Sequence, residues 1–312
     1  MTENKIISII GPTASGKSSL AMKLCKHFGR DLVSTDSMQI YIGMDIGTAK
    51  PSRQDRKTVN HHLIDIVNPD VNYSVADYSS AGKACIDELH GKGKGVVLCG
   101  GTGLYEQSIL GNINYSEEIT DTEYRTELES IALKEGPEYL HRMLEEIDPD
   151  SAEKIHANNT KRVIRALEIF KTTGMTKTEH DKLNQSSPAY EYIRIGIDYS
   201  DRQRLVENIN KRVDDMFDEG LVDEVSSLLG KGYLLPETTA GQAIGYKETA
   251  EYLKGIISLE EAKEKIKIST RQYAKRQLTW FRKYDDVNWL FADKEQDTDL
   301  FKKALELIEK DS

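Results

Sequence analysis

The sequence has no long apolar run, no closely spaced cysteine pair and no leader-like segment, and each absence excludes a class of protein. No window reaches about 18 consecutive apolar residues, so we expect no membrane span. The three cysteines, Cys25, Cys85 and Cys99, lack the C-x-x-C spacing of zinc sites and are interpreted as reduced thiols of a cytoplasmic protein. The first residues lead almost directly into an apolar segment, without the regions typical of a signal peptide.

Acidic residues outnumber basic ones and give a net charge of −10, but the charge is segregated along the chain. Residues 116–150 are rich in Glu and Asp, whereas residues 262–284 contain eight Lys or Arg and a single Glu. Phosphate contacts need clustered cations, so the second segment favours a nucleic-acid partner. At helical spacing, Arg271, Lys275 and Arg282 share one face. An aromatic face opposite them would serve either core packing or base stacking, and its members are Tyr273, Gln277, Trp280 and Tyr284.

Residues 11–18, GPTASGKS, match the phosphate-binding G-x-x-x-x-G-K-[ST] pattern between an apolar run and a helical segment. Backbone amides of such a loop and the helix N-terminus bind anions, Lys17 adds a point charge, and the Ser18 hydroxyl is placed for Mg²⁺. The predicted diphosphate or nucleotide site comprises Gly11, Pro12, Thr13, Ala14, Ser15, Gly16, Lys17 and Ser18. The motif recognises phosphates and has no contact specific to a base or a sugar. ATP and a non-nucleotide diphosphate therefore both remain possible ligands.

Strand-like and helix-like segments alternate, which predicts an α/β fold: a P-loop NTPase-like parallel sheet with helices on both faces. Ligands bind at the carboxyl ends of such strands, where residues 11–18, Asp36 and residues 100–103 would meet. Residues 116–191 are polar and helical, and we interpret them as a helical insertion domain. Residues 1–115 and 192–312 then form the P-loop core with C-terminal helices that include the basic segment. Expected strands lie near residues 5–10, 31–36, 61–67, 95–101, 192–199 and 287–291.

The apolar strand at 95–101 ends in glycines and Thr102, where a nucleotide hydrolase places an acid that holds Mg²⁺. This argues against a motor or switch NTPase. A small-molecule kinase that uses ATP remains an alternative.

Several further segments together resemble the tRNA dimethylallyltransferases, also called tRNA isopentenyltransferases. In chain order they are GPTASGKS, STDSMQIYIGMDIGTAKP, HHLIDI, CGGTGLY, IHANNTKRVIRALEI, GQAIGYKE and RQYAKRQLTWFRK. The resemblance covers nearly the whole chain and implies a P-loop core with a helical insertion. It also implies transfer of a dimethylallyl group from dimethylallyl diphosphate to N6 of the adenosine 3′ to the anticodon. The sequence ends at Ser312 without the cysteines of the zinc finger that eukaryotic members add, so it resembles the bacterial form.

The resemblance implies three catalytic residues, Asp36, Thr102 and Lys17. Asp36 matches the general base, and Thr102 matches a residue beside the reactive centre. Arg212 matches a diphosphate clamp, with Lys50 a weaker match. The sequence leaves simpler roles open: a turn cap or a water-mediated Mg²⁺ contact for Asp36, a helix N-cap for Thr102, and an ion pair with a nearby acid such as Asp215 for Arg212.

The resemblance also implies a tRNA-binding set, for which the alternative is a solvated surface or ordinary turns. Its members are Asp36, Ser37, Met38, Gln39, Thr102, Lys161, Arg162, Arg165, Gln242, Gly245, Tyr246, Lys247, Arg271, Lys275 and Arg276. Three histidines also match family positions, but a structural role is the commoner one and we assign them no chemistry: His61, His62 and His156.

The sequence therefore predicts a cytoplasmic, monomeric, Mg²⁺-dependent enzyme that binds dimethylallyl diphosphate and a tRNA anticodon stem-loop, with no membrane partner. The alternatives are an ATP-dependent kinase, a non-catalytic RNA-binding protein, and a transferase acting on free adenine nucleotides. The cations of residues 262–284 argue against the last of these.

Overall fold

A six-stranded parallel sheet forms the centre of the protein, in the order β3-β2-β4-β1-β5-β6. The computed structural model describes residues 4–111, 122–183, 187–294 and 297–311, and all but the side chains of residues 297 and 298 within them. The strands are β1 (Ile6–Ile10), β2 (Asp31–Ser34), β3 (His61–His62), β4 (Val96–Cys99), β5 (Tyr192–Asp198) and β6 (Val287–Phe291). The predicted parallel α/β sheet is confirmed.

Strand β3 is shorter than the expected 61–67. Leu63 and Asp65 have φ angles of 59° and 56°. Positive φ lies outside the extended region, so the strand ends at His62.

Fourteen α-helices lie in the described ranges. Those of the first half are α1 (Lys17–Phe28), α2 (Arg53–Thr58), α3 (Val75–Gly91), α4 (Gly103–Leu110), α5 (Thr122–Glu135), α6 (Pro137–Ile147) and α7 (Pro149–Lys154). The others are α8 (Thr160–Thr173), α9 (Lys177–Leu183), α10 (Arg202–Asp218), α11 (Leu221–Gly230), α12 (Tyr246–Leu253), α13 (Leu259–Phe281) and α14 (Asp297–Lys310). None of the helices in these ranges has the length and apolar composition that a bilayer span needs.

Helices cover both faces of the sheet. Successive strand side chains point to opposite faces. Ile7 and Ile9 of β1 accordingly pack in the core that contains residues of α1 and α14, whereas Ile6 packs with α3 and α4. Both faces are therefore apolar, as a parallel sheet requires.

A second apolar core fixes the loop that follows β2. Ile40, Tyr41 and Met44 of this loop are fully buried against α10, α11, α12 and α13. The Glu224 carboxylate accepts hydrogen bonds from the loop amides of residues 45–47 and, at 2.6 Å, from the Tyr246 hydroxyl. The loop is thus held by the core on one side and by a carboxylate on the other.

The chain divides into two compact units, residues 1–110 with 189–312, and residues 111–188. The described part of the second unit is helical, from α5 to α9, around an apolar core that includes Leu128, Leu144 and Leu167. The expected domain boundary after residue 115 lies outside the described residues. The expected boundary before residue 192 stays a prediction.

Candidate active site

The phosphate-binding loop connects β1 to α1 at the carboxyl edge of the sheet. Gly16 takes a left-handed conformation with φ 87°, which glycine adopts without strain, and α1 begins at Lys17. The Lys17 ammonium donates to the Pro12 carbonyl at 3.2 Å and so folds back over the loop. The buried Ser15 hydroxyl has no hydrogen-bond partner among the described residues. Amides, a cation and a free hydroxyl at one helix N-terminus suit a phosphorylated ligand.

Ser18, predicted as a metal ligand, is exposed at the start of α1. Its hydroxyl lies within hydrogen-bond reach of the Cys99 thiol, at the end of β4. Burial raises the pKa of this thiol to about 11. Cys99 is therefore a neutral thiol at physiological pH, as its assignment as a reduced core residue requires.

Asp36 follows β2 and caps the next turn. Its Oδ1 accepts hydrogen bonds from the amides of Met38 at 2.9 Å and Gln39 at 3.4 Å. No described residue donates to Oδ2. Asp36 therefore caps the turn, one of the roles that the sequence left open. The hydrogen bonds to Oδ1 orient the carboxylate and leave Oδ2 without a donor among the described residues.

Thr102 joins the turn after β2 to the start of α4. Its hydroxyl accepts a hydrogen bond from the Ser37 amide at 3.0 Å and donates to the Ser37 hydroxyl at 3.1 Å. Its carbonyl accepts from the amides of Tyr105 and Glu106, which begins the helix. Thr102 thus stands at the N-terminus of α4, but its side chain bonds the neighbouring loop and does not cap the helix.

Two cations lie near Asp36. Burial is the main cause that lowers the pKa values of Lys17 and Arg212, and the charge of Asp36 opposes the shift in both. The charge of Arg212 also lowers the Lys17 pKa, which places the two cations within electrostatic reach of each other. Tyr273 is a further neighbour: burial, with the charge of Asp36, raises its pKa to about 12. A dianionic ligand between the two cations would relieve their repulsion.

The alternative role for Arg212, an ion pair with Asp215, is wrong. Asp215 pairs with Lys211 at 2.7 Å, and no described residue forms a hydrogen bond or salt bridge with Arg212. Lys50 has a structural role, because its side chain is 1% exposed and its ammonium bonds Asp45 at 2.9 Å and Asp65.

Residues 37–39, predicted to contact tRNA, form the turn that follows Asp36. The Gln39 amide is occupied within the protein: it donates to the Thr48 carbonyl at 3.2 Å and accepts from Ser34 at 3.0 Å. Met38 packs against the second core. Both side chains thus have contacts within the protein while remaining partly exposed, and their contact with tRNA stays a prediction.

Only part of the stretch 242–247, also predicted to contact tRNA, is exposed to solvent. Tyr246 is fully buried with its hydroxyl on Glu224, so a side-chain contact with tRNA is excluded in this structure. Gly245 is buried and its amide donates to Glu248 at 2.9 Å. Gln242 and Lys247 are exposed. Spacing does not distinguish a buried tyrosine from a solvent-facing one.

Helix α13 presents fewer unpaired cations than its sequence suggests. Lys265 pairs with Glu251 and Lys267 with Asp214, and Arg282, the residue after the helix, pairs with Asp198. Arg271 donates to Asn210 at 2.7 Å. Lys275 and Arg276 are exposed, and the Arg276 guanidinium lies 5.7 Å from the centre of the Tyr273 ring. The exposed basic surface of α13 is therefore centred on these two adjacent residues.

The cations of α8 belong to the helical unit. Lys161 and Arg162 are exposed, while Arg165 lies 3.7 Å from Glu168, which also forms two hydrogen bonds with Arg125. Arg165 is thus partly engaged within its own unit.

The histidines have structural partners. His61 contacts the Val59 carbonyl at 2.8 Å and His62 contacts Asp31 at 2.9 Å. His156 accepts from the Asn158 amide at 3.1 Å.

One site residue was missed from the sequence. Gln277 of α13 is 5% exposed, accepts a hydrogen bond from the Thr13 amide at 2.8 Å and donates to the Gly101 carbonyl at 2.9 Å. Helical spacing placed it on the aromatic face, but no local signal indicates a partner more than 260 residues away.

A parallel sheet whose first strand leads into a phosphate-binding loop defines this protein as an α/β protein of the P-loop class. The sequence model of the family described as IPP transferase matches residues 39–284. The chain belongs to this family. It is 47% identical over 291 residues to the tRNA dimethylallyltransferase of Caldanaerobacter subterraneus subsp. tengcongensis, covering 93% of this chain and 92% of that one.

Solved structures agree with this assignment. The tRNA isopentenylpyrophosphate transferase of Bacillus halodurans is 41% identical with a TM-score of 0.73, over 98% of this chain and 96% of that one. A eukaryotic dimethylallyltransferase acting on tRNA is 29% identical with a TM-score of 0.82, over 97% of this chain and 78% of that one. The predicted family is confirmed.

Proposed function

We propose that this protein transfers a dimethylallyl group from dimethylallyl diphosphate to N6 of the adenosine 3′ to the anticodon in tRNA. The observation that carries the proposal is the position of Asp36. Its free carboxylate oxygen lies at the same sheet edge as the phosphate-binding loop, within electrostatic reach of Lys17 and Arg212. A base beside a diphosphate site is what alkylation of a weakly nucleophilic amine requires.

The diphosphate of the donor would lie on the loop of residues 11–18. Loop amides and the N-terminus of α1 bind its oxygens, and the Ser15 hydroxyl supplies a further donor. Lys17 and Arg212 hold the charge that builds on the departing diphosphate. Fixed donors that meet developing charge lower the barrier of the transfer.

Magnesium fits the donor set at this edge. Mg²⁺ prefers oxygen ligands and is commonly held by few protein groups together with phosphate oxygens. The exposed Ser18 hydroxyl would hold it, with the substrate's own oxygens completing the shell. When bound, Mg²⁺ would neutralise part of the diphosphate charge.

Asp36 would take the proton from N6. As the N6–carbon bond forms, the bond from that carbon to the diphosphate oxygen breaks, and diphosphate leaves with the electron pair. The N6 proton passes to the carboxylate. The turn amides of Met38 and Gln39 hold the carboxylate in place throughout.

The acceptor would be an unstacked adenosine, because N6 is inaccessible within a stacked stem-loop. Lys275 and Arg276 would contact tRNA phosphates, and the exposed Lys247 is a further contact. The proposed enzyme acts as a monomer in the cytoplasm.

A labelling assay tests the proposal. The protein is mixed with Mg²⁺ and labelled dimethylallyl diphosphate, and with unmodified tRNA, AMP or no acceptor. Label in tRNA alone is expected. Label in AMP would refute the proposed acceptor, and tRNA binding without transfer would indicate an RNA-binding protein. ATP consumption with a small-molecule acceptor would indicate the kinase alternative.

A further inference from the structure

We propose that Gln277 is a positioning residue, which holds the phosphate-binding loop in the shape that binds the donor diphosphate. Its side chain connects the Thr13 amide with the Gly101 carbonyl, so it joins the loop after β1 to the turn after β4. The inference rests on the proposed function, because it takes that diphosphate to be the one the loop binds.

The amide orientation of Gln277 is fixed by its partners. The Thr13 N–H needs an acceptor, so Oε1 must face it, and Nε2 then faces the Gly101 carbonyl. The Tyr273 hydroxyl, one helical turn earlier, is also within hydrogen-bond reach of this side chain. A buried amide with its donor and acceptor both used is held in one geometry.

The glycine turn after β4 is shaped around this side chain. A Cβ on Gly101 would lie 2.1 Å from Gln277 Nε2, so a larger residue would displace the amide. A Cβ on Gly103 would lie 2.2 Å from the Trp280 ring, one turn further along α13. The close approach of α13 to the site therefore depends on both glycines.

Removal of the Gln277 amide would leave the Thr13 N–H without a protein acceptor in a part-buried position. Thr13 is the third residue of the loop whose amides bind the diphosphate. A loop free to rotate this peptide must be ordered again on binding, which weakens affinity for the diphosphate. The tRNA-facing side of α13, Lys275 and Arg276, would keep its exposure.

The test compares Gln277→Leu and Gln277→Glu with Gln272→Leu. Gln272 lies on the same helix but is exposed, so it controls for loss of a glutamine from α13. Glutamate keeps an acceptor for Thr13 but loses the donor to Gly101 and adds negative charge beside the diphosphate. Calorimetry measures the Kd of inorganic diphosphate with Mg²⁺. Steady-state kinetics gives kcat and the separate KM values of dimethylallyl diphosphate and tRNA.

Both Gln277 variants are expected to raise the Kd of diphosphate and the KM of dimethylallyl diphosphate about tenfold or more, the size of one lost hydrogen bond. The KM of tRNA should stay within about twofold of the Gln272→Leu value. Folded Gln277 variants that bind diphosphate like the control would overturn the inference. An equal rise in both KM values would also overturn it, because it would indicate general loosening.

Two results separate this inference from the proposed function. If the wild-type protein binds diphosphate but transfers no prenyl group, a weaker Kd in the variants still supports the role of Gln277. If neither variant folds, amide hydrogen exchange of the wild-type protein tests the hydrogen bond between Thr13 and Gln277. Slow exchange of the Thr13 amide supports the bond to Gln277, and exchange as fast as in an exposed turn refutes it.

Discussion

The amide of Ser37 donates a hydrogen bond to the Thr102 hydroxyl at 3.0 Å, which links the turn that carries Asp36 to the start of α4. The turn that carries Asp36 and the glycine turn after β4 are thus one connected unit. Gln277 extends the connection to the phosphate-binding loop. Side-chain hydrogen bonds therefore hold together the loops that follow three strands, since these loops have no backbone hydrogen bonds of the sheet to fix them.

Thr102→Val should lower kcat about 10-fold to 100-fold, because the Ser37 amide loses its acceptor and the Asp36 turn loosens. Thr102→Ser keeps the hydroxyl and should stay within about threefold of wild type. Single-turnover rates with saturating substrates measure the effect. Equal rates in the two variants would contradict a role for the hydroxyl.

Asp36→Asn should lower kcat about 10²-fold to 10⁴-fold, because its carbonyl still caps the turn but takes no proton. The Kd of tRNA and the thermal midpoint should change little. Binding and transfer are measured on the same preparation. Retained transfer would remove Asp36 from the role of base.

Gly103→Ala should destabilise the protein by about 1–3 kcal/mol, because the new Cβ would lie 2.2 Å from Trp280. Gly91→Ala is the matched control, since nothing lies within 4 Å of its Cβ position at the end of α3. The control should be neutral or stabilising by up to about 1 kcal/mol. Urea unfolding measures both, and equal stabilities would show that α13 moves aside at little cost.

Replacement of Lys275 and Arg276 by Ala should raise the KM of tRNA about tenfold and reduce the salt dependence of tRNA binding by about two units of slope. The Kd of inorganic diphosphate should not change. The exposed pair Lys302 and Lys303 of α14, replaced by Ala, controls for the loss of two charges. If both double variants weaken tRNA binding equally, net charge and not the α13 surface would be responsible.

Asp148 gives the helical unit a pH dependence. Burial raises its pKa, but hydrogen bonds from Ser151 and Thr178 outweigh burial and leave the pKa below its ordinary value of 3.8. A lowered folded-state pKa gives stability that is present above the ordinary value and lost as the pH falls through the folded value.

Wild type should therefore exceed Asp148→Asn in stability by about 1 kcal/mol at pH 6, and the difference should shrink as the pH falls below the ordinary carboxyl pKa of 3.8. Thermal midpoints across this range measure it. A difference independent of pH would mean that the carboxylate charge does not matter.

Several elements were predictable because their signals are local. Strand β6 has the predicted bounds, 287–291, since a short apolar run marks it directly. The end of β3 was not predictable, because positive φ at Leu63 carries no sequence signal. The burial of Tyr246 depends on Glu224, and the use of Gln39 depends on Thr48, neither of which a pattern reveals.

The sequence by itself determined the family, the parallel sheet and the phosphate-loop motif at residues 11–18, because these depend on motifs and periodicity within short segments. Only the tertiary structure decided which of the predicted residues are exposed and free to contact a ligand. Lys267 is paired with Asp214, while Lys275 on the same helix is exposed, although both are lysines of one basic segment. It also placed Gln277 against Thr13, since hydrogen-bond partners distant in sequence meet only when the sheet and helices have packed.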